Sequence, residues 1–313
     1  MIKDKKTITL SQNIERMIKH IIFFTLLTTA FTAASQENKS IIAPEAKVEK
    51  LAEGFLFTEG PAVDKQGNVY FTDQPNDRIM KWSNDGKLSV FLEKTGRANG
   101  MYFDKKGNLL SCSDMDNEIW SISKKGRHTI LLAEYKGKKF NGPNDLWIRP
   151  DGGIYFTDPL YVRNYWTRDP QRQQEGEYVY FLSHDRKTIF PVDMELEKPN
   201  GIIGTPDGKL LYVADIRAGK TYVYEIQADG SLANKKLFVE MGSDGMTIDS
   251  EGNIYLTGNG VTVFNSKGEK IAHIPVEAKW TANVCFGGKD MKTLFITASQ
   301  YLYGLRMNVK GVR

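Results

Sequence analysis

The sequence predicts an all-β fold, a six-bladed β-propeller, from an internal repeat and the short strands within it. An oxygen-bearing polar residue opens a short apolar segment six times, at intervals of 40, 45, 56, 44 and 39 residues. Each copy continues with a turn and a second apolar segment that ends in a small or acidic residue. Four-stranded units of about 40–45 residues are typical of propeller blades. The six polar residues are Glu59, Asn99, Asn144, Asn200, Asp244 and Asn283.

The first repeat shows how its elements are recognised. Residues 64–68 (DKQGN) predict a turn, because the glycine accommodates a positive φ. Residues 68–73 (NVYFTD) are rich in β-branched and aromatic residues and predict a strand. Residues 78–83 predict a third strand, residues 84–86 (NDG) a hairpin turn, and residues 88–92 a fourth strand.

Matching turns occur in the later repeats, at residues 105–108, 150–153, 206–208, 250–253 and, less clearly, 287–290. We expect residues 47–54 to supply the outer strand that closes the ring on the last blade, because closure removes a free sheet edge. A long β-sandwich is the alternative fold. It would not require the polar residue to keep a nearly constant distance from the end of the following strand.

One repeat is longer than the others because of residues 160–178 (LYVRNYWTRDPQRQQEGEY), which are rich in aromatic residues and arginine. In a propeller this insertion follows an inner strand and projects at a rim, where loops often carry function. We expect a lid or specificity loop, with a solvated surface excursion as the alternative.

The N-terminal segment is expected to lie outside the fold. Residues 21–31 form an apolar run that follows basic residues and precedes small ones, which is the pattern of a secretory signal peptide over residues 1–34. Met17 lies shortly before this run and is an alternative start. A membrane anchor is the other interpretation of the run. We expect a periplasmic or secreted protein without stable membrane insertion once the signal is removed.

Charge and domain organisation follow from this interpretation. Residues 1–34 carry five positive and two negative charges, so the formal net charge of +4 falls to +1 without them. A nearly neutral mature chain gives no reason to expect nucleic acid as a partner. The predicted domains are a signal peptide (1–34), a linker (35–46) and a six-bladed propeller (47–313).

Several common catalytic and structural chemistries are disfavoured by the residue inventory. Cys112 and Cys285 lie in apolar patterns of different repeats, which favours buried free thiols over a disulfide. No glycine-rich phosphate loop, CxxC pair or HExxH motif occurs. A Ser-His-Asp triad is disfavoured because no histidine occupies the repeated polar position. The histidines are His20, His128, His184 and His273.

The repeated polar residues converge on one axis if the repeats form a ring. Glu59 and Asp244 are carboxylates, whereas Asn144 and Asn200 are neutral oxygen donors. Oxygen ligands suit hard cations, and Ca²⁺ best tolerates a mixture of carboxylates, amides and water. We therefore expect a central metal-binding tunnel that holds one divalent ion. Ca²⁺ is the first choice, with Mg²⁺, Mn²⁺ or Zn²⁺ as alternatives, although zinc normally recruits histidine or cysteine.

The amides Asn99 and Asn283 occupy the same position in the second and sixth repeats. An asparagine at the start of a strand, as in the pair Asn99-Gly100, is also a common turn residue, which is the alternative explanation for these two positions. We keep Asn99 as a substrate-binding candidate.

Several motifs, distributed in order along the chain, carry a family resemblance. They are Thr58-Glu59-Gly60-Pro61, residues 64–73 (DKQGNVYFTD), residues 141–146 (NGPNDL), Pro199-Asn200-Gly201-Ile202 and Ser243-Asp244-Gly245-Met246. Together they resemble the SMP-30/gluconolactonase/LRE-like family, and the resemblance covers roughly residues 48–305.

The resemblance implies a six-bladed propeller that hydrolyses sugar lactones or other lactones with a divalent metal ion in a central tunnel. Asn144 matches a position that ligates the metal or contacts substrate. Animal members that act on aldonolactones carry an arginine two residues before that position. Here this residue is Gly142, and we take the adjacent Asn141 as a substrate-binding candidate. The metal ligands that the resemblance implies are Glu59, Asn200 and Asp244.

The expected reaction is attack of water on the metal-polarised carbonyl of a small lactone. Asp244 is the leading candidate for the general base, and Asp73 and Asp215 are alternatives unless they cap turns. Related propellers cleave organophosphate esters, so an esterase or phosphotriesterase is one alternative function. A non-catalytic binding propeller that calcium stabilises is the other.

Overall fold

The computed structural model describes residues 40–312, and their regular secondary structure is antiparallel β-strand apart from one 3₁₀ turn, without an α-helix. Within this range six four-stranded sheets follow one another along the chain, each forming one blade. The six-bladed β-propeller predicted from the repeat is confirmed. The predicted signal peptide lies outside the described residues. No helix in the described range is long and apolar enough to cross a membrane.

The first half of the ring contains three blades, in which strands adjacent in sequence pair antiparallel. The first strand of the described range is β1 (Glu49–Glu53), which belongs to the last blade. Blade 1 consists of β2 (Thr58–Val63), β3 (Val69–Asp73), a 3₁₀ turn (Gln74–Asn76), β4 (Arg78–Trp82) and β5 (Leu88–Glu93). Blade 2 consists of β6 (Ala98–Phe103), β7 (Leu109–Ser113), β8 (Glu118–Ile122) and β9 (His128–Leu132). A hairpin follows, with β10 (Glu134–Tyr135) and β11 (Lys138–Lys139). Blade 3 consists of β12 (Leu146–Ile148), β13 (Ile154–Asp158), β14 (Tyr178–Leu182) and β15 (Ile189–Asp193).

The second half repeats this arrangement. Blade 4 consists of β16 (Pro199–Gly204), β17 (Leu210–Asp215), β18 (Lys220–Ile226) and β19 (Leu232–Val239). Blade 5 consists of β20 (Met246–Ile248), β21 (Ile254–Gly258), β22 (Gly260–Phe264) and β23 (Lys270–Ile274). Blade 6 consists of β24 (Thr281–Gly287), β25 (Thr293–Ala298), β26 (Tyr301–Arg306) and β1.

The ring is closed by pairing between the first and last strands. Strand β1 pairs antiparallel with β26 as the outer strand of blade 6, with Glu53 opposite Tyr301. This confirms the expectation that residues 47–54 supply the closing strand. The closure joins strands from the two ends of the sequence, so blade 6 cannot form until both are present.

Residues 40–46, which fall within the predicted linker, also contact the last part of the chain. Ile41 is buried in an apolar cluster with residues of blades 5 and 6. Ile42 forms an isolated β-bridge with Met307. These contacts extend the closure of the ring by several residues before β1.

The core lies between neighbouring blades, because each sheet packs on both of its faces. The second strand of every blade is almost entirely buried, whereas the outer strands β5, β9 and β23 are largely exposed. This explains why the second strands read as continuous apolar runs. Cys112 and Cys285 are buried free cysteines, as predicted.

Candidate metal centre

The innermost strands of consecutive blades contact one another around the complete ring, which gathers their first residues about a common axis. In four blades the pairing of the innermost strand is irregular at the repeated polar residue, between residues 59 and 62, 98 and 101, 199 and 202, and 281 and 283. In the other two, the paired strand begins just after Asn144 and Asp244. Such irregularities re-aim side chains, so the polar residue is freed from the regular alternation of the strand.

A glycine follows four of the polar residues because neighbouring blades approach closely at these points. A Cβ atom on Gly245, for example, would collide with the side chain of Asn283 in the next blade. The Asn-Gly and Asp-Gly pairs therefore serve the packing of the ring. The distances from such a Cβ to the nearest atom of the next blade are 1.9 Å for Gly60, 2.3 Å for Gly100, 2.9 Å for Gly201 and 1.9 Å for Gly245.

Glu59 and Asp244 are two carboxylates at this centre, and the charge of Asp244 acts on Glu59. Burial, followed by the negative charges of Asp244 and Asp145, raises the pKa of Glu59 well above its usual range. Burial also raises the pKa of Asp244, although hydrogen bonds from Trp280 and Asn200 oppose the rise. Neither carboxylate forms an ion pair with a basic residue of the described range. The two carboxylates therefore have no ion-pair partner among the described residues.

Asn200 connects this pair to the insertion and leaves one oxygen unused. Its Nδ2 donates to Asp244 Oδ1 at 2.8 Å and to the hydroxyl of Tyr161 at 3.0 Å. The other oxygen of Asp244 accepts from Trp280 Nε1 at 2.6 Å. Asn200 Oδ1 is buried and has no hydrogen-bond partner. Such an orphaned acceptor costs about 1–3 kcal/mol, which indicates a site for an electropositive ligand.

Asp145 is a further buried carboxylate near the centre. It accepts a hydrogen bond at 2.9 Å from the next backbone N–H and lies 3.5 Å from the Nδ2 of Asn283. Burial, with a contribution from the charge of Asp244, raises the pKa of Asp145 to about 7. The side chains of Asn99 and Asn144 are also buried but form no hydrogen bond with another described residue. Their amide oxygens remain available to a ligand.

These donors fit a hard divalent cation. Glu59 and Asp244 would supply two negative charges without a competing cation, and Asn200 would supply its unused oxygen. Mixed carboxylate and amide oxygens are the donors that Ca²⁺ accepts most readily. Among residues 40–312 no group of three or more His, Cys, Asp or Glu side chains is arranged to hold a metal ion. An ion at the centre would therefore depend on amide oxygens as well as on the two carboxylates.

Asn141, a substrate-binding candidate, has a structural role in the described residues. Its Nδ2 donates to the carbonyl oxygens of Asp158 and Gly176, at 3.0 and 2.9 Å. Its Oδ1 accepts from the backbone N–H groups of Gln173 and Gln174, both at 3.0 Å. The side chain is fully buried and has used all its donors and acceptors. It anchors the insertion to blade 3.

Asp73 and Asp215, the alternative bases, cap the chain at the entrances to innermost strands. Asp73 accepts at 2.9 Å from the backbone N–H of Leu56 and forms a 2.8 Å ion pair with Arg78. Asp215 accepts from the backbone N–H groups of residues 197 and 198, at 2.8 and 3.0 Å. These carboxylates are committed to the fold, so they are not available as bases.

The middle of the insertion is anchored to blade 2. Trp166 Nε1 donates to one carboxylate oxygen of Asp114 at 3.0 Å, and Arg168 lies 3.4 Å from the other. The guanidinium of Arg168 also stacks on the Trp166 ring, 3.4 Å from its centroid. Asp114 is 5% exposed, so this contact is well shielded from water.

Both ends of the insertion are held by one lysine. Lys198 Nζ donates to the carbonyl oxygen of Leu160 at 2.8 Å and pairs with Glu177 at 3.2 Å. It also lies 4.6 Å from the centroid of the Tyr161 ring. The insertion is therefore attached to the propeller beside Asn200, which favours a lid or specificity loop over a solvated excursion.

Comparison with known proteins places the chain in a family. Residues 57–300 match the model of the SMP-30/Gluconolactonase/LRE-like region. The chain belongs to this family. A protein named gluconolactonase from Zymomonas mobilis is 29% identical over 310 residues, covering 90% of this chain and 86% of the relative. A protein named lactonase drp35 from Staphylococcus haemolyticus is 26% identical and covers 72% of this chain and 71% of its own length.

Solved structures show the same architecture. A gluconolactonase from Xanthomonas campestris superposes with a TM-score of 0.80 at 28% identity, covering 85% of this chain and 91% of that structure. Virginiamycin B lyase from Staphylococcus aureus shares the fold with a TM-score of 0.60 at 16% identity. A lyase on the same scaffold shows that the fold alone does not determine the chemistry.

Three residues near the centre were not predicted from the sequence as part of the site. Asp145 follows Asn144 directly, so its position beside the repeated polar residue was a usable signal. Trp280 precedes its blade's polar residue in an irregular segment, and no local pattern marks it. Arg163 lies in the insertion. The composition of this segment indicated a specificity loop but did not show which of its arginines lies near the centre.

Proposed function

We propose that this protein is a metal-dependent hydrolase that opens the ester of a sugar lactone or a similar small lactone. The observation that carries the proposal is the unpaired carboxylate pair, Glu59 and Asp244, beside the unused oxygen of Asn200. Relatives named gluconolactonase and lactonase, matched over most of their length, support the substrate class. We also infer a periplasmic or secreted location from the apolar run in residues 1–34.

The residues that would hold one divalent cation, with Ca²⁺ the best fit, are Glu59, Asn200 and Asp244, with Asn144 as a further ligand or a substrate contact. When bound, the cation would polarise the lactone carbonyl and stabilise the negative charge that develops on its oxygen. The protein orients the ligands in advance, because Trp280 and Asn200 each bind one oxygen of Asp244.

Asp244 is proposed as the general base that accepts a proton from the attacking water. The water oxygen bonds to the carbonyl carbon, the ring C–O bond breaks, and a proton passes to the departing ring oxygen. The product is a hydroxy acid with an ionised carboxylate. Burial raises the pKa of Asp244 in the metal-free protein, and a bound cation would oppose this rise.

Asp145 is the second candidate for the proton acceptor. Its pKa of about 7 lies near neutrality, and its negative charge acts on Glu59. Replacing each acid separately distinguishes the two, because the base is required for proton transfer whereas a nearby acid only modulates the field. Asp244→Asn would also weaken metal binding, so metal affinity must be measured alongside the rate.

The proposed function is tested by hydrolysis of a lactone panel with metal-stripped protein, to which Ca²⁺, Mg²⁺, Mn²⁺ or Zn²⁺ is returned. Proton release reports the carboxylic acid product. We expect activity to return with a divalent ion and to be strongest with Ca²⁺. Full activity in the stripped protein would contradict the metal site. Metal binding without hydrolysis of any lactone would contradict the enzymatic assignment.

A further inference from the structure

Arg163, in the insertion, carries a guanidinium that forms no hydrogen bond or ion pair with the described residues, and its Nε is buried without a partner. The group lies over the ring of Tyr161, with its central carbon 5.1 Å from the ring centroid. A guanidinium is always charged and offers five N–H donors in a planar fork. Leaving a shielded charged donor unpaired is unfavourable, so this arrangement is suited to a ligand.

The position of Arg163 places this charge beside the proposed metal centre. Its positive charge acts on the carboxyls of Glu59, Asp244 and Asp114, opposing the effect of burial on their pKa values. Tyr161, on which the guanidinium stacks, accepts the hydrogen bond from Asn200. Arg163 is therefore within electrostatic reach of the reacting lactone but is not bound to the carboxylates.

Neighbouring basic residues are already committed to structural contacts. Arg168 pairs with Asp114 and donates to the carbonyl of Asn141 at 2.6 Å. A Cβ on Gly142 would lie 2.9 Å from Nη2 of Arg168, so that arginine fills the space in front of this glycine. Lys198 pairs with Glu177.

The charges around the site indicate which substituent a substrate should carry. A bound divalent cation would neutralise Glu59 and Asp244, while the contacts described above pair Arg168 with Asp114 and Lys198 with Glu177. Arg163 is then left without an ion-pair partner among the described residues. A planar fork of donors binds carboxylate and phosphate oxygens most strongly.

We propose that Arg163 binds an anionic substituent of the lactone, so that the preferred substrates are lactones bearing a carboxylate or a phosphate in addition to the ring ester. This inference rests on the proposed function and names its substrate class. The cation holds the ring carbonyl, while Arg163 holds the charged substituent, and together they orient the ester.

The test compares kcat/KM for glucono-δ-lactone, its 6-phosphate and glucaro-1,4-lactone in metal-loaded protein. The wild type should prefer the charged lactones. Arg163→Gln should lower kcat/KM for them by about 10- to 100-fold, the range of a charge-assisted hydrogen bond, and change the neutral lactone by less than about threefold. Arg163→Lys should recover part of the loss because it restores the charge without the fork. Arg172→Gln, which alters an exposed arginine of the same insertion, is the matched control.

An equal loss on neutral and charged lactones, or a wild-type preference for the neutral one, would overturn the assignment of Arg163. The relative response to phosphate and carboxylate identifies the preferred anion. If the wild type hydrolyses neutral and charged lactones equally well, the assignment of Arg163 is overturned but the proposed function stands. If it hydrolyses no lactone, the proposed function itself is overturned. Calorimetric titration of the metal-loaded protein with glucarate gives a readout without turnover. Arg163→Gln should weaken this binding at least about tenfold, and unchanged binding would overturn the inference.

Discussion

Asn200 donates a 2.8 Å hydrogen bond from its Nδ2 to Oδ1 of Asp244, although the two residues belong to different blades and are 44 positions apart. An ionised carboxylate can only accept, so this bond sets the orientation of the amide and leaves its buried Oδ1 unpaired. One contact thus both orients the carboxylate and presents a second oxygen to a cation.

Glu59→Gln should stabilise the metal-free protein and abolish its stabilisation by metal. Burial and the charge of Asp244 raise the pKa of Glu59, so an ionisable carboxyl at this position destabilises the metal-free protein near neutral pH, and glutamine removes that cost. It also removes a proposed ligand. Calorimetric melting with and without Ca²⁺ would show both effects, and lactonase activity should fall at least about 100-fold.

The exposed residue Glu93 provides a matched control for that experiment. Glu93→Gln should leave both the metal-induced rise in melting temperature and the activity unchanged. A metal-induced rise that survives Glu59→Gln would place the ion elsewhere.

Gly245→Ala should destabilise the ring by about 1–3 kcal/mol, because the added methyl group would collide with Asn283 of the next blade. Chemical denaturation would measure the loss. Gly252→Ala tests whether the effect is specific to the centre, since a Cβ there meets no atom within 4 Å, although its positive φ carries a smaller backbone cost. Equal losses in the two variants would contradict the close-approach explanation.

Asp114→Asn should loosen the insertion. We expect kcat/KM to fall while the melting temperature changes little. The change removes the charge that pairs with Arg168 while retaining an acceptor for Trp166. Hydrogen exchange of residues 160–178 should accelerate, with little change in the blade strands. A fall in melting temperature without faster exchange in the insertion would instead assign Asp114 to the stability of blade 2.

The pH dependence of stability should contain a contribution from Asp158, which accepts from the backbone N–H groups of Asn141 and Gly142. Burial raises the pKa of Asp158 to about 7, so the folded state binds its proton more tightly than the unfolded chain does. This contribution is fully present below about pH 4 and is lost as the pH rises through about 7. Urea unfolding of metal-free protein at several pH values would measure it.

In the same experiment Asp158→Asn should flatten the fall in unfolding free energy between about pH 4 and pH 7, while lowering stability overall through the lost acceptor. Asp151→Asn, at an exposed turn, should keep the wild-type slope. An unchanged slope in Asp158→Asn would show that its carboxyl titrates normally in the folded protein.

Cys112 and Cys285 should react with thiol reagents only when the protein unfolds. Burial raises the pKa of both thiols, which suppresses the reactive thiolate. The rate of modification should therefore follow global unfolding across a denaturant series. Rapid labelling of the native protein, compared with the Cys285→Ala variant, would reveal access to the inner strand of blade 6.

Much of the fold could be read from local pattern. The strand predicted at residues 68–73 is β3 (Val69–Asp73) in the structure. The prediction succeeded because β-branched and aromatic residues between turn residues favour a strand locally. The six recurrences of the polar residue before a turn and a strand then predict six similar blades. The closing strand followed from the need to remove a free edge.

The candidate site could be predicted only in part, because local pattern shows where a residue lies in the repeat but not what it contacts. Glu59, Asn200 and Asp244 share a repeat position, so the sequence by itself determined that they would be gathered at the centre of a ring. Asn141 also carries an oxygen, but the tertiary structure uses it to anchor the insertion.

The sequence therefore determined the blades and the gathering of oxygen donors, because both depend on periodicity along the chain. The tertiary structure decided which donors remain unpaired. It engages Asp73 and Asp215 in caps, leaves Asn200 Oδ1 without a partner and leaves Arg163 unpaired. Whether a buried group is satisfied depends on contacts between residues far apart in sequence, which no local pattern records.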